Sequence, residues 1–223
     1  MLTLFWIKTT VSNGGMNDSP QDTKTRILDV AEELFGEQGL DRVSIRDITD
    51  AAKANLAAVN YHFGGKEELI AAVFERRLRP VNQARLTALD ELEKKTGAKA
   101  PKVEEILAAF IRPAVTCCPG DEKGTKAFAK LFGRCLAETR PEVESLLRKQ
   151  FQPLTLRMER VLMRALPHLP RADIFWRMKF TFGALHHWML TKEKFLPDCA
   201  RQDSLEEQMR KLIAFASAGF KAK

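Results

Sequence analysis

The sequence predicts an all-α protein, in which an N-terminal three-helix unit containing a helix-turn-helix is followed by a larger helical domain. Three observations predict it. Apolar residues recur at helical spacing in almost every segment. No stretch alternates apolar and polar residues between hairpin turns. Three short segments between residues 23 and 65 carry their own start and stop signals. At 223 residues, the chain can join a small domain to a larger one.

The first helix is expected over 23–38, where Ile27, Val30, Ala31, Leu34 and Phe35 form one apolar stripe. Gly39 stops it as a C-terminal cap. Ser44 opens a second, short helix, with Asp47 three residues on in capping-box position. Ile45, Ile48 and Ala52 face inward. Asn55 is the N-cap of a third helix, whose Val59 and Phe63 point inward four residues apart. Gly64-Gly65 ends it. A long helix follows from Lys66 to Lys94, with Pro80 an expected kink. Further helices are expected over 102–117, 125–138, 141–165, 171–191 and 204–220, with Pro113 and Pro153 as possible breaks.

The opening run Leu2–Ile7 is too short to span a membrane and lacks a basic leader. Residues 1–20 are expected to be a disordered tail or a start-site artefact, with Met16 a candidate first residue. The domains expected are then 21–68 and 69–223. With no convincing signal peptide, the cytoplasm is the expected compartment, and Cys117, Cys118, Cys135 and Cys199 are expected to be inert thiols.

The net charge of +7 suggests an acidic partner, nucleic acid first. Its distribution complicates that reading. Residues 22–79 hold nine Lys and Arg against eleven Asp and Glu, so any DNA contact there rests on a few placed cations. Arg76-Arg77-Leu78-Arg79 reads as a solvated face rather than a DNA-proximal cluster.

In a helix-turn-helix the last helix enters the major groove while the one before it crosses the backbone. The groove-facing side must be short or polar, so that bases can be approached closely. Here it reads Leu56, Ala57, Ala58, Asn60 and Tyr61. Leu56 and the alanines suit thymine methyls; Asn60 and Tyr61 suit phosphates or base edges. His62 and Lys66 follow where a phosphate strand would run. Thr25, Ser44, Arg46, Lys53 and Asn55 complete the expected DNA-contacting set; Asn55 is first a helix cap, and for Arg46 a DNA contact is favoured over a solvated charge.

Residues 23–70 closely resemble the DNA-binding domain of the TetR family. The resemblance rests on Ile27 through Phe35, Gly39, Ser44 through Ile48, and Tyr61-His-Phe-Gly-Gly-Lys-Glu-Glu-Leu69 in fixed order. It implies a homodimer on double-stranded operator DNA, with the larger domain serving ligand binding and dimerisation. Two positions depart from the family pattern. Lys53 stands where the family usually has Gly in the turn, and Asn60 where it often has Tyr. Lys130 to Leu190 is similar to a TetR subgroup, some of whose members respond to fatty acids or acyl derivatives. A small apolar effector is therefore expected, with Phe110, Phe128, Phe132, Phe151, Trp176 and Phe180 as candidate pocket residues. Phe175, Met178, Phe182, Leu185, Met189, Leu212, Phe215 and Phe220 are expected to form the dimer interface, because they would otherwise leave broad apolar stripes exposed.

No enzyme signature emerges. There is no Glu-x-x-His pair for a metal centre, no phosphate loop and no nucleophile motif, so no cofactor or metal is expected. His186 and His187 point about 100° apart on a helix and read as packed or interface residues. A protein-binding role with a degenerate DNA head is the remaining alternative, supported only by Lys53 and the acidic balance of the front.

Overall fold

The computed structural model describes residues 19–117, 122–137, 140–191 and 197–222. The expected tail, up to residue 18, Cys118 and the side chain of Cys199 lie outside the described residues.

The described residues form ten helices: α1 (Pro20–Gln38), α2 (Ile45–Ala51), α3 (Leu56–Phe63), α4 (Lys66–Thr96), α5 (Val103–Thr116), α6 (Glu122–Ala137), α7 (Pro141–Ala165), α8 (Arg171–Thr191), α9 (Asp198–Arg201) and α10 (Leu205–Lys221). They contain no strand, and none of their helices is long and apolar enough to cross a membrane. The expected helices all form, and the short α9 is an addition. Helix α1 starts earlier than expected. Ser19 caps it reciprocally with Asp22, and Pro20 occupies the first turn, where its missing N–H costs nothing. Ser19 and Pro20, expected in the tail, are therefore the cap and first residue of α1.

Helices α1 to α3 close over the first turns of α4. Ile27, Ala31, Phe35, Ile48, Val59, Leu69, Val73 and Phe74 form their shared core. That core thus draws on α4 as far as Phe74. Behind the head, α1 lies directly on α6. A Cβ on Gly36 would sit 2.6 Å from the Ala127 carbonyl oxygen, so only glycine permits this approach. Arg134 on α6 donates to the Glu37 carbonyl at 3.1 Å.

A buried carboxylate locks α1 to α4. Glu32 is enclosed and accepts from Arg76 at 2.5 Å and from Arg77 at 2.8 Å (Nε) and 2.5 Å (Nη2). Arg76 also reaches Asp29. The basic run 76–79 is therefore no solvated face: two of its three arginines are structural, and only Arg79 is exposed. Burying so many charges is tolerable because each has an opposite partner.

Pro80, Pro113 and Pro153 lie within continuous helices. Proline removes a helical N–H and crowds the carbonyls of the preceding turn. Two buried polar residues of α4 serve that turn in both packed neighbours. Arg85 donates to the Phe110 carbonyl at 2.8 Å, and Asn82 to the Gln150 carbonyl at 2.9 Å. These carbonyls lie three residues before Pro113 and Pro153. The pair is itself joined, Arg85 to Asn82, at 3.1 Å. The second core, built on Leu89, Ile106, Leu107, Ile111, Leu154, Val161 and Leu162, fills the space between α4, α5 and α7.

A candidate nucleic-acid interface and a ligand cavity

Helix α3 is held by its ends and one inner stripe. Asn55 Oδ1 accepts from the Ala58 N–H at 2.8 Å, and Gly64 ends the helix with φ of 87°. Val59 and Phe63 are buried and anchor it. The opposite side is open. Leu56 is 52% and Tyr61 82% exposed, and Ala57 and Asn60 are exposed beside them. Large apolar groups so uncovered cost burial energy that folding alone does not recover.

Helix α2 presents Ser44 and Arg46 outward on the same head. Ser44 is committed to its capping box: Asp47 accepts from the Ser44 backbone at 2.7 Å. Those hydrogen bonds from the Ser44 side chain and backbone hold the Asp47 carboxyl below its ordinary range. The turn between α2 and α3 contains Lys53 at φ 49°, the single non-glycine residue with positive φ among the described residues. Its side chain is exposed. Thr25 is exposed, with its hydroxyl bonded to the Gln21 carbonyl at 3.0 Å. His62 is half-buried between Tyr61 and Phe63. Lys66 is partly withdrawn. Its Nζ donates to the Leu40 carbonyl at 2.7 Å and braces the α1–α2 loop.

The larger domain encloses a cavity of about 540 Å³, within the range of small-molecule sites. Leu107, Phe110, Phe132, Phe151, Leu154, Met158 and Phe220 line its interior, while Arg140, Glu144, Arg148 and Lys179 lie in its wall. A smaller cavity of about 90 Å³ shares Phe132, Phe151 and Phe182 with it and contains Phe128, Leu185, Met189 and His186. Burial, then the neighbouring His187, pushes the His186 pKa down. Its Nε2 has no hydrogen-bond partner among the described residues.

On α8 two expected sets exchange places. Trp176 and Phe180, expected in the pocket, project outward at 49% and 67% exposure and stack on each other at 6.0 Å. Met178 and Phe182, expected at a dimer interface, line the cavity, as does Phe175 at its exposed edge. Leu185 and Phe220, also expected at the interface, are 2% and 1% exposed within this protomer. The reason is a helix whose apolar residues are spread round every side among charged ones, so periodicity does not say which stripe faces in. Phe215 on α10 is 72% exposed, as an interface residue would be, whereas Leu212 and Met189 pack against the second core. The cavity-wall cations, Phe175 and Met178 were not among the expected pocket residues. For the apolar ones the sequence signal is the helical spacing of Phe175, Met178 and Phe182, at offsets of 0, 3 and 7; the cations carry none.

Comparison with known proteins agrees with both halves. Residues 27–73 match the family model described as "Bacterial regulatory proteins, tetR family". Residues 108–219 match "Tetracyclin repressor-like, C-terminal domain". The HTH-type transcriptional regulator AcrR of Shigella flexneri is 31% identical over 120 residues, 52% of this chain and 50% of AcrR. The chain thus spans about half the length of that relative. SmeT, solved as a triclosan complex, is 25% identical with a TM-score of 0.61, over 88% of this chain and 90% of SmeT. PfmR from Thermus thermophilus shares the fold at 18% identity and a TM-score of 0.58, covering 89% of this chain and 95% of PfmR. With one family model on the head and another on most of the larger domain, the chain belongs to the TetR family of bacterial transcriptional regulators.

Proposed function

We propose that this regulator is a cytoplasmic, homodimeric repressor that sits on a palindromic operator and is released by a small apolar effector. The single observation that supports operator reading best is the open side of α3, where Leu56, Ala57, Asn60 and Tyr61 stand uncovered on a helix anchored from behind. Two such helices in a dimer enter successive major grooves, with half-sites spaced by helical turns. Arg46, Lys53 and Thr25 then flank the groove as phosphate contacts, and Lys66 and Ser44 serve mainly to hold the head in shape.

Dimerisation through α8 and α10 is supported by Trp176, Phe180 and Phe215, which leave an apolar stripe in water in the lone protomer. A fatty acid or acyl compound suits the cavity, whose inner wall is aliphatic and aromatic. SmeT, similar over most of its length, is solved with triclosan. Ligand acts by preferring a conformation in which the two heads are wrongly spaced, and its effect is bounded by that preference.

A gel shift with the DNA beside the chain's own gene tests the reading. The wild type is expected to retard that DNA specifically at moderate salt. Asn60→Ala and Tyr61→Ala are expected to lose specific retardation while remaining dimeric. Retention of full binding by both variants would remove α3 as the reading helix.

A further inference from the structure

The cavity and the DNA-binding head share one arginine. Arg140, the residue before α7, lines the cavity, and its guanidinium also pairs with Asp41 in the loop between α1 and α2. Asp41 follows Leu40, whose carbonyl holds Lys66 at the start of α4. The pair is therefore a tie between the effector chamber and the base of the head.

The chamber is polarised. Its deep wall contains Leu107, Leu154, Met158 and Phe220, all at most 2% exposed. Its charged members are on the solvent side: Arg140, Arg148 and Lys179 against one carboxylate, Glu144. Arg148 is matched by Glu144 at 2.6 Å. Lys179 rests over the Trp176 ring at 5.2 Å. An apolar tail fits inward, and an anionic head group then meets these cations.

We propose that Arg140 is an exchangeable contact: without effector it holds Asp41 of the head, and the carboxylate of an amphiphilic anion in the cavity takes it over. This rests on the cavity being the effector site. Two carboxylates beside one guanidinium repel each other, so binding of one weakens the hold on the other, and the linkage is reciprocal. The ligand need not deform the helices to reach the head. It removes the tie that steadies the α1–α2 loop.

Isothermal titration of the full chain with decanoate and with 1-decanol tests this. The two probes share a tail and differ in charge. The wild type is expected to bind decanoate more tightly than decanol. Asp41→Asn removes the competitor and is expected to tighten decanoate about two- to fivefold, the scale of a partly exposed ion pair, with decanol unchanged. Arg140→Gln is expected to bring decanoate down towards decanol. A decanoate preference that is the same in the wild type and both variants overturns the proposal and leaves the cavity reading intact. Loss of decanoate in Arg140→Gln with no gain in Asp41→Asn overturns the exchange, leaving Arg140 as a simple head-group contact. Binding of neither probe to any form overturns the cavity reading, and the proposal falls with it.

Discussion

The head and the larger domain solve opposite problems with the same secondary structure. The head, α1 to α3, is short-helical and locally specified. Every helix in it starts from a side-chain cap, and its buried stripe is narrow enough to leave one surface of α3 open. The larger domain is long-helical and specified at a distance. Its helices pass through prolines whose neighbouring carbonyls are served by Asn82 and Arg85 from α4, and its apolar surplus goes into a cavity and an outward stripe. An open surface is obtained in the head by keeping side chains out of the core. In the larger domain, a cavity is obtained by keeping helices apart.

The joint between the two regions gives the largest expected effect. Glu32→Ala strips the shared carboxylate from Arg76 and Arg77 and leaves two partly buried cations without it. A loss of about 3 kcal/mol or more is expected, or a fall of about 6–12 °C in the thermal midpoint. A fall of less than about 2 °C would mean that the two regions are not joined there.

The exchange on α8 is tested next. Phe180→Ala and Phe215→Ala are expected to weaken the dimer about tenfold or more by sedimentation equilibrium, with the decanoate affinity unchanged. Phe182→Ala is expected to do the reverse. A dimer broken by Phe182→Ala and indifferent to Phe180→Ala would restore the opposite assignment of the helix faces.

Within the head, Lys53 is the one described side chain attached to a left-handed backbone. Lys53→Gly is expected to raise stability by about 1 kcal/mol, seen as about 2–4 °C in thermal unfolding. Unchanged stability would show that the turn relaxes around the lysine.

The smallest effect lies at the end of the larger domain. Glu104 on α5 takes hydrogen bonds from Lys221 and from Ser217 of α10. The Lys221 ammonium first, then a backbone N–H and Ser217, hold its pKa down from 4.5 to about 2. Because the folded value is depressed, the contribution is present above pH 4.5 and disappears as the pH falls towards 2. Glu104→Gln is expected to unfold about 1–3 °C lower at neutral pH, discounted for exposure. That gap narrows below about pH 4.5. A gap independent of pH would assign the effect to packing.

The head was almost wholly legible in the sequence because its determinants are local. Ser44 with Asp47, and Asn55 with Ala58, declare their helices within three residues. What stayed hidden depends on distant partners. Arg76 and Arg77 read as a solvated run because Glu32 is 44 and 45 positions away. The bracing bond of Lys66 stayed hidden likewise, because its carbonyl acceptor lies 26 residues upstream. Phe110, Phe132 and Phe151 were recognisable as cavity residues from their chemistry. Trp176 and Phe180 were expected on the cavity side of α8 because its apolar residues are spread round the helix and nothing marks the inner stripe.

The central claim is that α3 lies in the major groove. Methylation protection at guanine N7, which faces that groove, tests it directly on the DNA beside the gene. The account predicts two symmetric clusters of protected guanines about one helical turn apart or a multiple of it, both lost with Tyr61→Ala. Specific binding that leaves every guanine N7 reactive, or protection that survives both Asn60→Ala and Tyr61→Ala, would contradict it.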